Sequence, residues 1–515
     1  MPFADGGNRE YDVGDGMVKM KKRYAAVLMS LSSLPSPFGI GGFGEETKRF
    51  LSRLKEMGFS AWQVLPFNLP DFGNSPYGSC SAFAGSYLYI DPRGLRAEGY
   101  ITEQELRECV YPGSPYTVDY DFVLRQKKKV LRQAFSRALP SVLPELEAFL
   151  SKNSWVEDYA LFMTLKNRFD GAAWQLWPEE YRDYRRAVAF SEESRDEMLF
   201  YVFEQYIFDT QYAAVRRYAE SLGIAVIGDI PIYVAADSVD VWKNPSLFQL
   251  NGEYQPDRVA GVPPDAFSAD GQLWGNPVYR WEEHQKTGYA WWLSRLERTL
   301  ALYDAVRIDH FRAFASYYAV DADADNAKHG VWEKGPGMDL FDPVLKRFDR
   351  DRIIAEDLGT CGEDVTALLC DSGIRGMRVV QFGFSGGDST HLPHHYSENC
   401  VAYIGTHDNN TLLDWLWEME DAQRKFALDY CGFTGSDWGA GGYHSASCRA
   451  VIETVWKSAA AGAVIPFQDL CGFGRDARMN IPGVPKDNWR FRTTEETIDG
   501  IDREYFRYIN ALYFR

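Results

Sequence analysis

The sequence predicts an α/β protein: a (β/α)8 barrel with helical and loop insertions and no β-sandwich domain behind it. Three observations carry that prediction. Eight short apolar stretches recur along the chain with helical periodicity between most of them, the alternation expected of a parallel barrel. Three of these stretches, 303–308, 352–357 and 401–406, run at their ends into carboxylates: Asp309, Glu356 and Asp408. Strands buried on both faces have no reason to end so, but barrel strands whose carboxyl ends form a functional rim do. A chain of 515 residues with 45% hydrophobic content can also bury the large core such a barrel needs.

The elements follow in order. Residues 1–22, glycine-rich and charged, are expected to form a flexible extension ahead of a barrel unit spanning 23–515. The basic KMKKR run before Ala25 to Leu31 imitates a secretory signal, but the apolar run is short and leads into a Gly/Pro loop, so it reads as the first strand. Phe50, Leu51, Leu54 and Met57 then mark an amphipathic helix, and AWQVLPF (61–67) the second strand. The polar run that follows, rich in Gly, Ser and Pro, is long for a mere connection and is expected to line a site. Residues of about 91–222 form a mostly helical insertion, with Ser191-Glu192-Glu193 starting its last helix and Gly223 capping it. The third strand is Ala225 to Ile230, and a second irregular run at about 246–281 is expected to be an active-site loop. The fourth to eighth strands lie at 303–308, 352–357, 376–382, 401–406 and 462–474, and a helix from Glu495 to Phe514 closes the chain.

Composition excludes several classes of partner. With 73 acidic against 55 basic residues the net charge is -18, so no cationic excess is available to neutralise a nucleic acid or an anionic membrane. No stretch reaches the ~18 consecutive apolar residues of a membrane span. Eight scattered cysteines without ligand or disulfide spacing fit buried thiols in a reducing compartment, and a cytoplasmic location is expected. The aromatic share of 15% is mostly core filling, with stacking on the flat faces of sugar rings as its functional alternative.

In a barrel, Asp229, Asp309, Glu356 and Asp408 converge from strands three, four, five and seven on one mouth. Acids sharing a cleft raise at least one pKa, which keeps a carboxylic acid protonated for general-acid work. Metal binding is the competing use, but hard-metal neighbours do not cluster around these acids. Cleaving a glycosidic bond needs two such groups, one to attack or activate water and one to protonate the leaving oxygen. GIGGFG (39–44) has the GxGxxG spacing but no acidic residue follows at the right place, GFSGG (383–387) has the GxSxG spacing but leads into a loop and not a helix, and no GxxxxGK[ST] sequence occurs. His284, His329 and His444 are expected at the surface or at hinges. HLPHH (391–395) looks like a zinc tract, but no acid or Cys at ligand spacing completes it, and it reads as a surface loop.

The motifs VRIDHFR, IIAEDLG and YIGTHDNNT, the loops NSPY and AGVPPDAFSADGQLWGNPVY, and the tail QDLCGFGRDARMNIPGV with DNWRFR resemble those of the 4-alpha-glucanotransferases, or amylomaltases, of the alpha-amylase clan. The resemblance runs from about residue 24 to the last turn. It implies Asp309 as the nucleophile, Glu356 as the acid/base and Asp408 as the carboxylate that holds the distorted sugar. It further implies that Arg307 keeps Asp309 ionised and aligned, that Asp229 supports the array, and that His407 and His310 shape the sugar site. Tyr77 and Ser75 would lie beside the acceptor, Trp274 and Asn276 on the arching loop with Asp265 and Gln272, and Gln468, Asp469 and Asn480 near the rim. The implied partners are maltooligosaccharides and other alpha-1,4-glucans, handled without cofactor or metal by a monomer or weak homodimer. A retaining hydrolase of the same clan is the first alternative, and a catalytically silent glucan-binding protein the second.

Overall fold

The computed structural model describes residues 17–71, 73–264, 268–359, 362–484 and 486–515. The expectations for residues 1–16 and for Asp265 lie outside the described residues. Eight parallel strands close into a barrel in chain order: Tyr24–Leu28, Ala61–Gln63, Ala225–Ile230, Ala305–Ile308, Ile353–Ala355, Arg375–Val379, Cys400–Tyr403 and Gly462–Pro466. The last pairs with the first, Tyr24 opposite Gly462. The third strand has its expected bounds, and the others are shorter than their apolar runs, because pairing ends where the chain turns out onto the rim.

Side chains alternate across the barrel wall. Val27, Trp62, Val226, Val306, Ala402 and Ile465 face outward into the main core under the helices. Ala26, Leu28, Ile227, Ala305, Met377 and Val401 face inward and fill the barrel. A Cβ on Gly228 would meet the ring of Tyr303 at 2.1 Å, so the backbone there must stay bare for the aromatic to pack. The same parity places Gln63, Asp229, Arg307 and Tyr403 inside, one layer above the apolar filling. Asp229 stands opposite Arg307 in register, and the Tyr403 hydroxyl donates to Gln63 Oε1 at 2.9 Å. The barrel interior therefore changes from apolar to polar toward the carboxyl ends of its strands.

At the other end, the described part of the N-terminal stretch is not free. The Val18 N–H donates to Asp304 Oδ1 at 2.9 Å, and Val18 and Met20 pack on the inward-facing cluster. Arg216 also bonds Asp304, which precedes the fourth strand. Helices fill the span between strands two and three, among them Tyr120–Lys152, Trp155–Arg168 and Arg195–Ser221. The last begins four residues after Ser191, without a side-chain cap, and Gly223 follows it in the left-handed region at φ 68°.

The expected irregular loop at 246–281 is partly a sheet. Arg258–Val262 and Gln272–Pro277 join Ser316–Asp321 and Val331–Lys334 in a four-stranded antiparallel sheet. Its strands lack clean alternation, and half of the sheet lies beyond the fourth barrel strand, so local pattern could not announce it. After the eighth strand come the short helices Glu495–Gly500 and Arg503–Leu512. Among the described residues no helix is long and apolar enough to cross a membrane.

Candidate active site

The site starts from the buried pair on strands three and four. The Arg307 guanidinium donates through Nη1 to both Asp229 oxygens, at 2.9 and 2.7 Å, and through Nη2 to Asp309 Oδ1 at 2.7 Å. Asp229 is 1% exposed and Arg307 4%, whereas the Asp309 side chain keeps 30% of its surface. One fork thus ties a hidden acid to a reachable one. The Tyr77 hydroxyl adds a bond to Asp229 Oδ2 at 2.9 Å. Burial pushes the Asp229 carboxyl up, and Arg307 with the Tyr77 hydroxyl opposes that push.

Strand four ends in a turn that builds the next wall. His310 sits in the left-handed region at φ 51°, a costly conformation for a residue with a Cβ. The turn aims the His310 N–H at Glu356 Oε2, 2.7 Å away, while the Leu358 N–H reaches Oε1 at 2.9 Å. Glu356 is 9% exposed. Burial raises its carboxyl to about 7, the nearby Asp309 charge adding to the effect while Arg307 and the two N–H donors oppose it. Burial, with Arg312 nearby, lowers the His310 imidazole to about 3, so the ring is neutral. The Trp274 ring stands edge-on to that imidazole at 4.8 Å and is 37% exposed on the rim.

Asp408 is held from the far side of the mouth. Asn480 Nδ2 donates to its Oδ1 at 2.5 Å, Arg478 Nη2 donates to its main-chain oxygen at 2.6 Å, and His407 Nε2 lies 3.4 Å from its Oδ2. Burial depresses the His407 imidazole, with the Asp408 charge pulling the other way. Tyr77 stacks on His407 at 5.2 Å and 19°, and Trp489 closes on both rings at 5.7 and 5.6 Å. Three acids therefore face one cleft, on a floor of neutral imidazoles and aromatic rings. Such a floor suits an uncharged, hydroxyl-rich ligand.

Comparison with known proteins meets this geometry at family level. The family model described as 4-alpha-glucanotransferase matches residues 29–497. The chain belongs to the 4-alpha-glucanotransferase family. A 4-alpha-glucanotransferase of Aquifex aeolicus is 41% identical over 498 residues, covering 96% of this chain and 99% of that one. One from Thermus thermophilus is 40% identical over 488 residues, covering 91% and 94%. The solved amylomaltase of Streptococcus agalactiae, in complex with acarbose, superposes with a TM-score of 0.91 at 35% identity, covering 96% of this chain and 99% of that one.

Within this glucanotransferase framework the other sequence-predicted residues take different stations. Asp229 and Arg307 are both buried and lie beneath Asp309. Ser75 Oγ accepts the Tyr77 N–H at 3.2 Å and so shapes the loop that delivers that ring. Asn276 anchors the arching strand by donating to the Val234 carbonyl at 2.9 Å. Gln468 lines a pocket with Met29, Leu65, His407 and Arg478, its amide turned to the Ala477 carbonyl at 3.1 Å. Asp469 lines the same pocket and is otherwise buried, which raises its carboxyl to about 7. His284 is not at the surface as expected: it is fully buried among Tyr279, Trp281 and Trp291, and burial lowers it to about 4.

Sequence reasoning gave no role to Arg478 or Trp489. Trp489 holds its place through a left-handed backbone at φ 64°, an N–H bond to the Met479 carbonyl at 2.8 Å, and a carbonyl that accepts the Tyr120 hydroxyl at 2.9 Å. The last bond ties the helical insertion to the floor of the site. The glycine and proline run before DNWRFR marked a tight return of the chain, the one local signal that could have pointed there.

Proposed function

We propose that this chain transfers alpha-1,4-glucan segments by retaining double displacement, with Asp309 as nucleophile, Glu356 as acid/base and Asp408 as the group that holds the distorted sugar. Asp309 Oδ attacks C1 of the donor sugar, and the bond from C1 to the bridging oxygen breaks as Glu356 gives that oxygen its proton. The shortened glucan leaves with a free 4-hydroxyl, and the remaining segment stays on Asp309 as a glycosyl ester. Glu356, now ionised, takes the proton of an incoming 4-hydroxyl, whose oxygen attacks C1 and releases Asp309. Two inversions give net retention.

The observation that carries this reading is the opposed setting of the two carboxyls on neighbouring strands. Glu356 is buried and raised to about 7, as a proton donor must be, while Asp309 is open to the cleft and fixed by the Arg307 fork. Asp408 and the Asn480 amide offer hydrogen-bonding groups to sugar hydroxyls opposite them. Trp274 on the rim supports transfer over hydrolysis, because a ring that seats the acceptor also displaces water. The substrates in this reading are maltooligosaccharides and other alpha-1,4-glucans.

Incubation with maltotriose tests the proposal. Transfer yields glucose together with longer oligosaccharides at a constant number of reducing ends. A mixture of only shorter sugars with rising reducing ends would establish the hydrolase alternative instead. We also place the protein in the cytoplasm as a monomer or weak homodimer. The seven described cysteines are free thiols, which supports a reducing compartment. Light scattering after size exclusion tests the assembly state.

A further inference from the structure

We propose that Asp388, His394 and His395 form a binding site for a divalent transition metal of the Zn2+ type, on the rim loop that follows the sixth strand. Within HLPHH itself no acid completes a ligand set. The fold supplies that acid from seven residues before His395, by folding the loop back through Gly386 and Gly387, both at positive φ. Among the described residues these three are the one such group whose ligand-type atoms all lie within 4.8 Å of one another.

The geometry can take a shared ion with a small adjustment. Asp388 Oδ1 lies 3.4 Å from His394 Nε2 and 2.6 Å from His395 Nε2, so both ring nitrogens turn to one carboxylate oxygen. Tetrahedral zinc with bonds of about 2.0–2.1 Å sets its ligand atoms about 3.3–3.4 Å apart. The His394 pair already has that spacing, and the His395 pair needs to open by about 0.7 Å by the same measure. The far nitrogen of His394 is held as well, with Nδ1 2.9 Å from the Tyr430 hydroxyl. With Nδ1 donating to that oxygen, Nε2 keeps its lone pair for a metal, the arrangement that orients ligating histidines in known sites. His391 takes no part, since its Nδ1 accepts the Val379 N–H at 3.1 Å and anchors the base of the loop.

The partners of the loop say what a bound ion would do. Tyr430 belongs to the helix Asp421–Tyr430, and Phe384 of the same loop packs against Trp415, Phe426 and Tyr430. An ion held by Asp388, His394 and His395 therefore cross-links the loop after strand six, whose contacts through His394 and Phe384 already join it to the helices that follow Asp408. Two imidazoles and one carboxylate with an open fourth position select zinc and its neighbours over magnesium or calcium.

Calorimetric titration of the full chain, free of any histidine tag, with zinc chloride tests the site. The expected result is one ion bound per chain, a melting temperature that rises with zinc, and affinity lowered at least about ten-fold in each of Asp388→Asn, His394→Ala and His395→Ala. His444→Ala, which removes a different exposed His beside Asp502, should bind as the parent does. The three variants sit outside the catalytic array and should retain transfer activity, so loss of binding is separable from loss of fold. Failure to take up zinc in a fixed ratio, or uptake that all three variants preserve, would overturn the proposal.

Discussion

Replacing Glu356 by Gln tests the assigned chemistry most directly, because the structure separates its two effects. The carboxylate accepts one backbone N–H on each oxygen, from His310 at 2.7 Å and from Leu358 at 2.9 Å. Glutamine keeps one acceptor but presents an NH2 group to the other N–H, donor against donor. One buried N–H then loses its partner, which costs about 1–3 kcal/mol of stability. Removing a carboxyl that burial already disfavours in its charged form offsets part of that cost, so the variant folds. Catalysis loses more: without a proton for the leaving oxygen, turnover on maltotriose should fall by about 10²–10⁴-fold, or about 3–5 kcal/mol of transition-state stabilisation.

The assay compares maltotriose with alpha-glucosyl fluoride, whose leaving fluoride needs no proton. Formation of the glycosyl ester from the fluoride should survive the substitution far better than cleavage of maltotriose. In the parent enzyme kcat/KM should decline as pH rises through about 7, where Glu356 loses its proton. The variant should lack that limb. Activity on maltotriose within ten-fold of the parent, or equal losses on both substrates, would refute the assignment.

Three other outcomes follow from the same geometry. Arg307→Met leaves Asp229 buried with only the Tyr77 hydroxyl, a broken buried pair worth about 3–5 kcal/mol. Spread over 515 residues at about 2.1 cal/mol/K each, that lowers the melting temperature by about 3–5 °C, with activity falling in parallel as Asp309 loses its anchor; an unchanged melting curve would contradict the fork. Asn480→Ala frees Asp408 Oδ1 and should reduce kcat/KM by about ten-fold, or about 1.4 kcal/mol, with little change in stability. Steady-state kinetics at parental values would show that Asn480 does not position the acid. Glu204 is 2% exposed in the helical insertion, and burial raises its carboxyl to about 8. Its folded pKa lies above its unfolded one, so its contribution is full below about 4.5 and is lost as pH rises through about 8, at up to about 1.4 kcal/mol per pH unit. Glu204→Gln should flatten that slope and unfold at a higher temperature than the parent at pH 8, as thermal melts across the window would reveal.

Most of the barrel was legible because parallel strands buried on both faces leave continuous apolar runs, and their carboxyl ends leave abrupt polar ones. Asp309, Glu356 and Asp408 stood out for that reason, within a few residues of the strands that carry them. The antiparallel sheet was not legible, since its edge pattern is mixed and its halves flank the fourth barrel strand. His284 shows the same limit from another side: a lone histidine in a polar stretch carries no mark of the aromatic cage that buries it.

Sequence by itself determined which residues could do chemistry and on which strand each would ride, because those properties repeat locally at the period of the backbone. Tertiary structure alone decided what each acid became. Asp229 and Asp309 are both aspartates at the carboxyl ends of barrel strands, yet one is sealed under Arg307 and the other opens to the cleft. Asp408 depends on Asn480, 72 residues away, and Tyr77 reaches Asp229 across 152. Protonation and hydrogen bonding depend on which groups lie within a few ångströms and how much water is excluded, and folding brings those groups together from distant parts of the chain.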